Sequence, residues 1–163
     1  MNPFKNTSFL VRLVELVKTA FMNDDNTKVG LLYKDAILHL GKDASPVDLA
    51  ADDLGCAESV TNIIHKVIPE VPIITGTYNL LEHLKNSSKF KQTVFLRPGT
   101  IILCATGTGN GRIRGHTGIL GEKAIIMSSD SATGLWLENF TYGSWYHKYA
   151  TIGGFKVYLF IPV

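Results

Sequence analysis

Two residues carry most of the chemistry this sequence offers. Cys56 stands in DDLGCAESVTNIIHKV, and His116 stands sixty residues later in GHTGILG. A thiol and an imidazole are the parts of a nucleophile and its base. Cys56 lies four residues before Val60, and Val60, Ile63, Ile64 and Val67 share one face of a helix. On that pattern alone Cys56 is a small packed hydrophobe. Its position in the first turn points elsewhere. Asp52 or Asp53 is a natural N-cap, and the unpaired N–H groups that follow favour a thiolate. The same groups suit an oxyanion formed by attack of the sulfur, and Gly55 lets a substrate carbonyl come close.

His39, His65 and His83 fall in expected helices among charged neighbours and read as surface residues. His116 opens an expected strand between Gly115 and Gly118, which leave room around its ring. A base needs a partner on its second nitrogen. The next strand, KAIIMSSDS, is expected to run antiparallel after a tight turn, which brings Ser128, Ser129 or Asp130 beside His116. Asp130 is the strongest electrostatic candidate, and the two serines are neutral alternatives. Alternation allows only every other one of these onto the face of the site. A zinc site made from Cys56, His116 and Asp130 lacks tight ligand spacing, so no metal or other cofactor is expected.

Three further features bear on binding. GTGNG over 107–111 looks like a phosphate loop, but a strand follows it and no GK[ST] is present. It is expected to be a mobile loop beside the site. Its Arg112 and Arg114 suit carboxylates. Trp136, Phe140, Tyr142, Trp145, Tyr146 and Tyr149 crowd together, either as a binding groove that includes Trp136 or as cover for a sheet edge.

These residues need elements to position them. Helices are expected over about 9–21, over 28–40 with Leu31, Leu32, Ala36, Ile37 and Leu40 inward, from Cys56 to before Pro69, and after a Thr77 cap. From residue 93 the texture turns to strands: TVFL, GTIILCATG, GHTGILG, KAIIMSSDS and FKVYLFIPV. WLENFTYGSWYHKYA is expected as a loop with a short helix. The result is an α+β chain with helices on one side of a mostly antiparallel sheet. One domain over 1–163 fits the length, with 1–50 as a helical extension and 51–163 as the core. Hydrophobic residues are 45% and charged residues 18%, which excludes a disordered chain. Net charge is +2 and the cations are scattered, so nucleic acid is not an expected partner. Cys56 and Cys104 are too few for a disulfide framework, and Cys104 in TIILCA is expected in the core. Arg12, Glu15 and Lys18 break the apolar N-terminal stretch, so neither a signal peptide nor a stable membrane insertion is expected.

The cysteine helix, the PGTIIL strand and the GHTGI strand, in that order, resemble the NlpC-like and CHAP cell-wall hydrolases. The resemblance spans Asp52 to about Ser131. It implies a papain-like fold and a cysteine peptidase or amidase that cuts amide bonds in bacterial peptidoglycan, of phage or bacterial origin. Cys56 matches the family nucleophile and His116 the base. The third position falls in SSDS, where the family often has His, Asn or Gln, and Gly55 replaces the aspartate that often precedes the cysteine. The implied partners are peptidoglycan stem peptides, with a holin or virion partner for export from the cytoplasm to the wall. The alternatives are a papain-like acyltransferase and a non-catalytic binding module such as a virion component.

Overall fold

The computed structural model describes residues 26–45 and 55–163. The helix expected over 9–21 and the Asp52 or Asp53 cap lie outside the described residues. The chain is α+β, with helices on an open antiparallel sheet of six strands.

Helix α1 runs Lys28–Leu38. Thr27 starts it by accepting a 3.2 Å hydrogen bond on its hydroxyl from the Gly30 N–H. Its buried stripe is Val29, Leu32 and Ala36, at i, i+3 and i+7. The stripe is turned from the one expected: Leu31 and Ile37 are exposed. Helix α2 spans Cys56–Val67 and buries Val60, Ile63 and Ile64 as its spacing predicts. Helix α3 spans Thr77–Asn86, and its cap is Gly76, not Thr77. The Thr77 hydroxyl is used across the fold. It donates to Thr106 Oγ1 at 3.0 Å and accepts from the Thr106 N–H at 2.9 Å, which ties α3 to the end of a strand.

The strands are β1 (Phe90–Gln92), β2 (Ile101–Cys104), β3 (His116–Leu120), β4 (Ile125–Ser129), β5 (Trp136–Thr141) and β6 (Tyr158–Pro162). Their order in the sheet is β1-β6-β2-β3-β4-β5. Alternation gives the sheet two apolar faces. Ile101, Leu103, Ile119, Met127 and Phe160 meet the helices α1 to α3. Ile102, Cys104, Leu120, Ile126 and Leu159 meet a second layer, the short helix α4 (Tyr142–Trp145) and the π-helical turn Tyr146–Ile152.

Two expected elements differ, each for a physical reason. TVFL is not a strand. Because β6 lies between β1 and β2, residues 93–97 must cross the end of β6, and Val94 and Phe95 are left 81% and 70% exposed. Conversely, Trp136–Thr141 is a strand. A bulge opposite Ile126 and Met127 interrupts its period of two, since Phe140 pairs with Ile126 and Glu138 with Met127. Trp136 is fully buried, and its indole N–H donates to Ala36 O at 3.1 Å. The structure therefore corrects its assignment to a substrate groove: Trp136 pins β5 to α1. Among the described residues no helix is long and apolar enough to cross a membrane.

One feature of α2 opposes stability. Glu58 is fully buried, and among the described residues neither carboxyl oxygen has a hydrogen-bond partner. Such a group costs the fold its desolvation without compensation. Glu58→Met is expected to raise stability by about 1–3 kcal/mol, read from urea denaturation. A loss of stability in this variant would show that the carboxyl is compensated in the folded state.

Candidate functional site

The first turn of α2 brings Cys56 to the beginning of β3. Gly55 caps the helix with its backbone alone, since no side chain bonds the first turn from that position. The Cys56 sulfur lies near the backbone N–H groups of Thr117, Ala57 and Cys56 itself, with Thr117 contributing most. Gly115 brings the chain before β3 close to the end of β2. A Cβ there would stand 2.3 Å from both Cys104 O and Thr106 N, so no larger residue fits where β3 leaves β2.

Cys56 and His116 line one cavity of about 320 Å³, together with Arg114, Asp130, Asn139 and Lys148. A second cavity, of about 240 Å³, also has Cys56 in its wall, with Thr77, Tyr78, Asn79 and Thr106. Arg114 and Gly115 belong to both, so the thiol stands where two recesses meet.

A cluster of aromatic rings and one hydrogen bond hold the ring of His116. It stacks on Trp145 at 5.3 Å and on Tyr149 at 5.6 Å, with Phe140 edge-on at 6.0 Å. Its Nε2 is 3.0 Å from Ser128 Oγ, and Ser128 Oγ donates to Asn139 Oδ1 at 2.7 Å. The serine proton is committed to Asn139, so Ser128 accepts from His116 Nε2–H. This assigns the tautomer and leaves Nδ1 as the basic atom.

Two local features make that relay. Gly118 lies on the face of β3 that His116 occupies. A Cβ on Gly118 would come within 3.1 Å of Ser128 Cβ and 2.5 Å of Met127 O, so only glycine lets Ser128 lean toward the ring. The bulge in β5 inserts Asn139 as the extra residue and turns its amide to Ser128.

Asp130, the electrostatic candidate, is not the residue bonded to His116. Its Oδ1 accepts from the N–H groups of Ala132 and Thr133 and from the Thr133 hydroxyl, closing the β4–β5 turn. It still lines the cavity, and its charge favours a protonated His116. Ser129 takes the opposite alternation and is buried. Arg114 lines both recesses, whereas Arg112 lines a neighbouring recess beside Gly107 and Phe155. Gly55 is buried behind the thiol and lines neither recess at the sulfur. Asn139 and Lys148 carried no sequence signal. The bulge hides the first, and the second is one of many scattered lysines.

Burial decides the protonation states. It pushes the Cys56 thiol up to about 11, against the smaller pull of the surrounding N–H groups. It pushes His116 down to about 3; the Lys148 charge adds to that shift and Asp130 opposes it. The first-turn advantage expected for a thiolate is therefore overridden by burial, and the resting pair is thiol and neutral imidazole. Cys104 is fully buried in β2, its thiol raised to about 12 by burial. His39 and His65 are half-buried, not solvated, with Nδ1 facing the backbone carbonyls of Asp35 and Val71. Among the described residues no three His, Cys, Asp or Glu side chains are gathered as a metal site.

These shifts carry a signed prediction. The folded state keeps His116 neutral down to about 3, while the unfolded chain takes up its proton near 6.5. The stability this contributes is complete above 6.5 and is lost as pH falls from 6.5 toward 3. His116→Gln is expected to flatten the acid-side loss in urea midpoints over that window. An unchanged slope in this variant would rule out His116 as its source.

No protein-family model matches this chain, and no curated protein matches it in sequence.

Proposed function

We propose that this protein is a cysteine hydrolase that cleaves amide bonds in bacterial peptidoglycan, with a papain-like arrangement of nucleophile and base. The observation that carries the reading is the shared cavity of Cys56 and His116, with the ring's Nε2 anchored by Ser128 and Asn139 and its Nδ1 left basic.

The chemistry follows from that arrangement. His116 Nδ1 takes the proton of Cys56 as the sulfur attacks the amide carbon, so that charge forms only during the reaction. The N–H groups of Cys56, Ala57 and Thr117 suit the developing oxyanion. Collapse breaks the C–N bond, and His116 returns its proton to the leaving amine. Water then gives a proton to Nδ1 and attacks the thioester. The C–S bond breaks, the acid departs and the thiol recovers its proton. Throughout, Ser128 and Asn139 steady the imidazolium through Nε2–H. Stem peptides supply amides of this kind. The site of action is then the wall, reached with a holin or virion partner.

A second reading has an observation of its own. A thiol held at about 11 is the state of an inert packed cysteine, which suits a non-catalytic binding module that keeps the fold. One set of variants separates the two. Release of new amino groups from purified sacculi is expected from the native protein. Cys56→Ala is expected to abolish it with an unchanged circular dichroism spectrum and melting temperature. Ser128→Ala is expected to lower the rate by about 10- to 100-fold, because the ring loses its fixed tautomer. Sacculi left intact by the native protein, or cleaved equally by Cys56→Ala, would favour the binding module.

A further inference from the structure

Lys148 stands on the π-helical turn with its ammonium 5.2 Å from the centre of the Phe140 ring and 5.3 Å from that of Tyr149. Those two rings are also packed against His116. Among the described residues no carboxylate forms an ion pair with Lys148. Its charge is nevertheless close enough to act on His116, and its side chain lines the cavity that holds Cys56. A lysine resting on aromatic faces keeps its charge at a fixed place and retains free donors for an anion.

The rest of the cavity agrees with an anionic guest. Lys148 adds a fixed positive charge to this wall, and Asp130 has its Oδ1 already engaged by three donors of its own turn. The second recess at Cys56 has Thr77, Tyr78, Asn79 and Thr106 in its wall and is without Lys148. The two sides of the sulfur therefore differ in which charged groups they hold: Arg114 borders both, and Lys148 and Asp130 stand on the His116 side.

We propose that Lys148 is a carboxylate receptor on the leaving-group side of the scissile amide, so that the preferred substrate releases an amine bearing a free carboxylate. The side assigned rests on the hydrolase reading. His116 must hand its proton to the leaving nitrogen, which places the leaving group beside the ring that the Lys148-bearing aromatics touch. The acyl part then occupies the recess of Thr77 and Thr106. A bound carboxylate also offsets the lysine charge beside His116, so docking of the correct substrate makes the base stronger when it is needed.

The test needs no turnover. Iodoacetate and iodoacetamide differ by a carboxylate and both alkylate a cysteine, and peptide mass spectrometry reads Cys56 with the buried Cys104 as internal reference. Lys148→Met is expected to lower the iodoacetate rate relative to the iodoacetamide rate by at least about fivefold. Lys148→Arg is expected to keep the native ratio, and added salt to narrow it. The same ratio in native protein and Lys148→Met overturns the receptor. So does failure of both reagents to reach Cys56 at pH 9 over hours long enough for the small thiolate fraction of a thiol at about 11 to react, since a cavity closed to two-carbon reagents seats no substrate carboxylate. The alkylation result stands whether or not sacculi are cleaved, so it separates this proposal from the hydrolase reading. For the side assigned, KM for a peptide with a free carboxylate on its leaving residue is expected to rise in Lys148→Met, with the amidated peptide unchanged. An effect confined to acyl-side carboxylates overturns the placement.

Discussion

The contact between the first turn of α2 and the beginning of β3 is the constraint on which the site depends. It places a thiol against the N–H of Thr117, one residue from the imidazole of His116. The contact is narrow because it joins two cores. Thr117 turns toward the helix side and bonds its hydroxyl to Ile102 O at 2.9 Å. His116 turns the other way, into the layer of Trp145 and Tyr149. Alternation along one strand thus puts consecutive residues into separate cores, and the sulfur reaches the strand where it begins.

Burial then sets the electrostatics. A helix N-terminus and three nearby N–H groups favour a charged sulfur, and an apolar surrounding disfavours it. Here desolvation is the larger effect on both partners, so thiol and imidazole rest neutral. Any charge that forms on the pair would meet the N–H groups at the sulfur and the Ser128–Asn139 relay at the ring. Aromatic stacking fixes the ring plane and the relay fixes its tautomer. Rotation of His116 is therefore opposed by packing and by hydrogen bonding together.

Much of this was legible in residue order. The face of α2 follows from Val60, Ile63 and Ile64, and the helix-then-strand texture led to an antiparallel sheet under helices. Cys56 and His116 stood out by type and by their glycine neighbours, and the tight β3–β4 turn brought the SSDS segment to the ring. The failures have physical causes. Leu31 and Leu32 are equally apolar, and only packing on the sheet chose the stripe of Val29, Leu32 and Ala36. TVFL has strand composition, yet after Thr93, whose N–H still donates to Leu159 O of β6, the chain leaves the ladder and crosses the end of β6. The strand of Trp136 was obscured by the bulge that delivers Asn139 to the site.

By itself the sequence determined what periodicity and side-chain chemistry can encode: the amphipathic helix, the short β-rich runs, and a thiol and an imidazole separated by sixty positions. Tertiary structure decided everything that needs two distant segments at once. It chose Ser128 over Asp130, because Gly118 lets one approach and the β4–β5 turn uses the other. It moved Trp136 from a supposed groove into the core by giving its N–H an acceptor on α1. It brought Lys148 beside His116 and left the thiol and imidazole neutral, since desolvation is a property of the packed surroundings and not of a residue's neighbours in the chain.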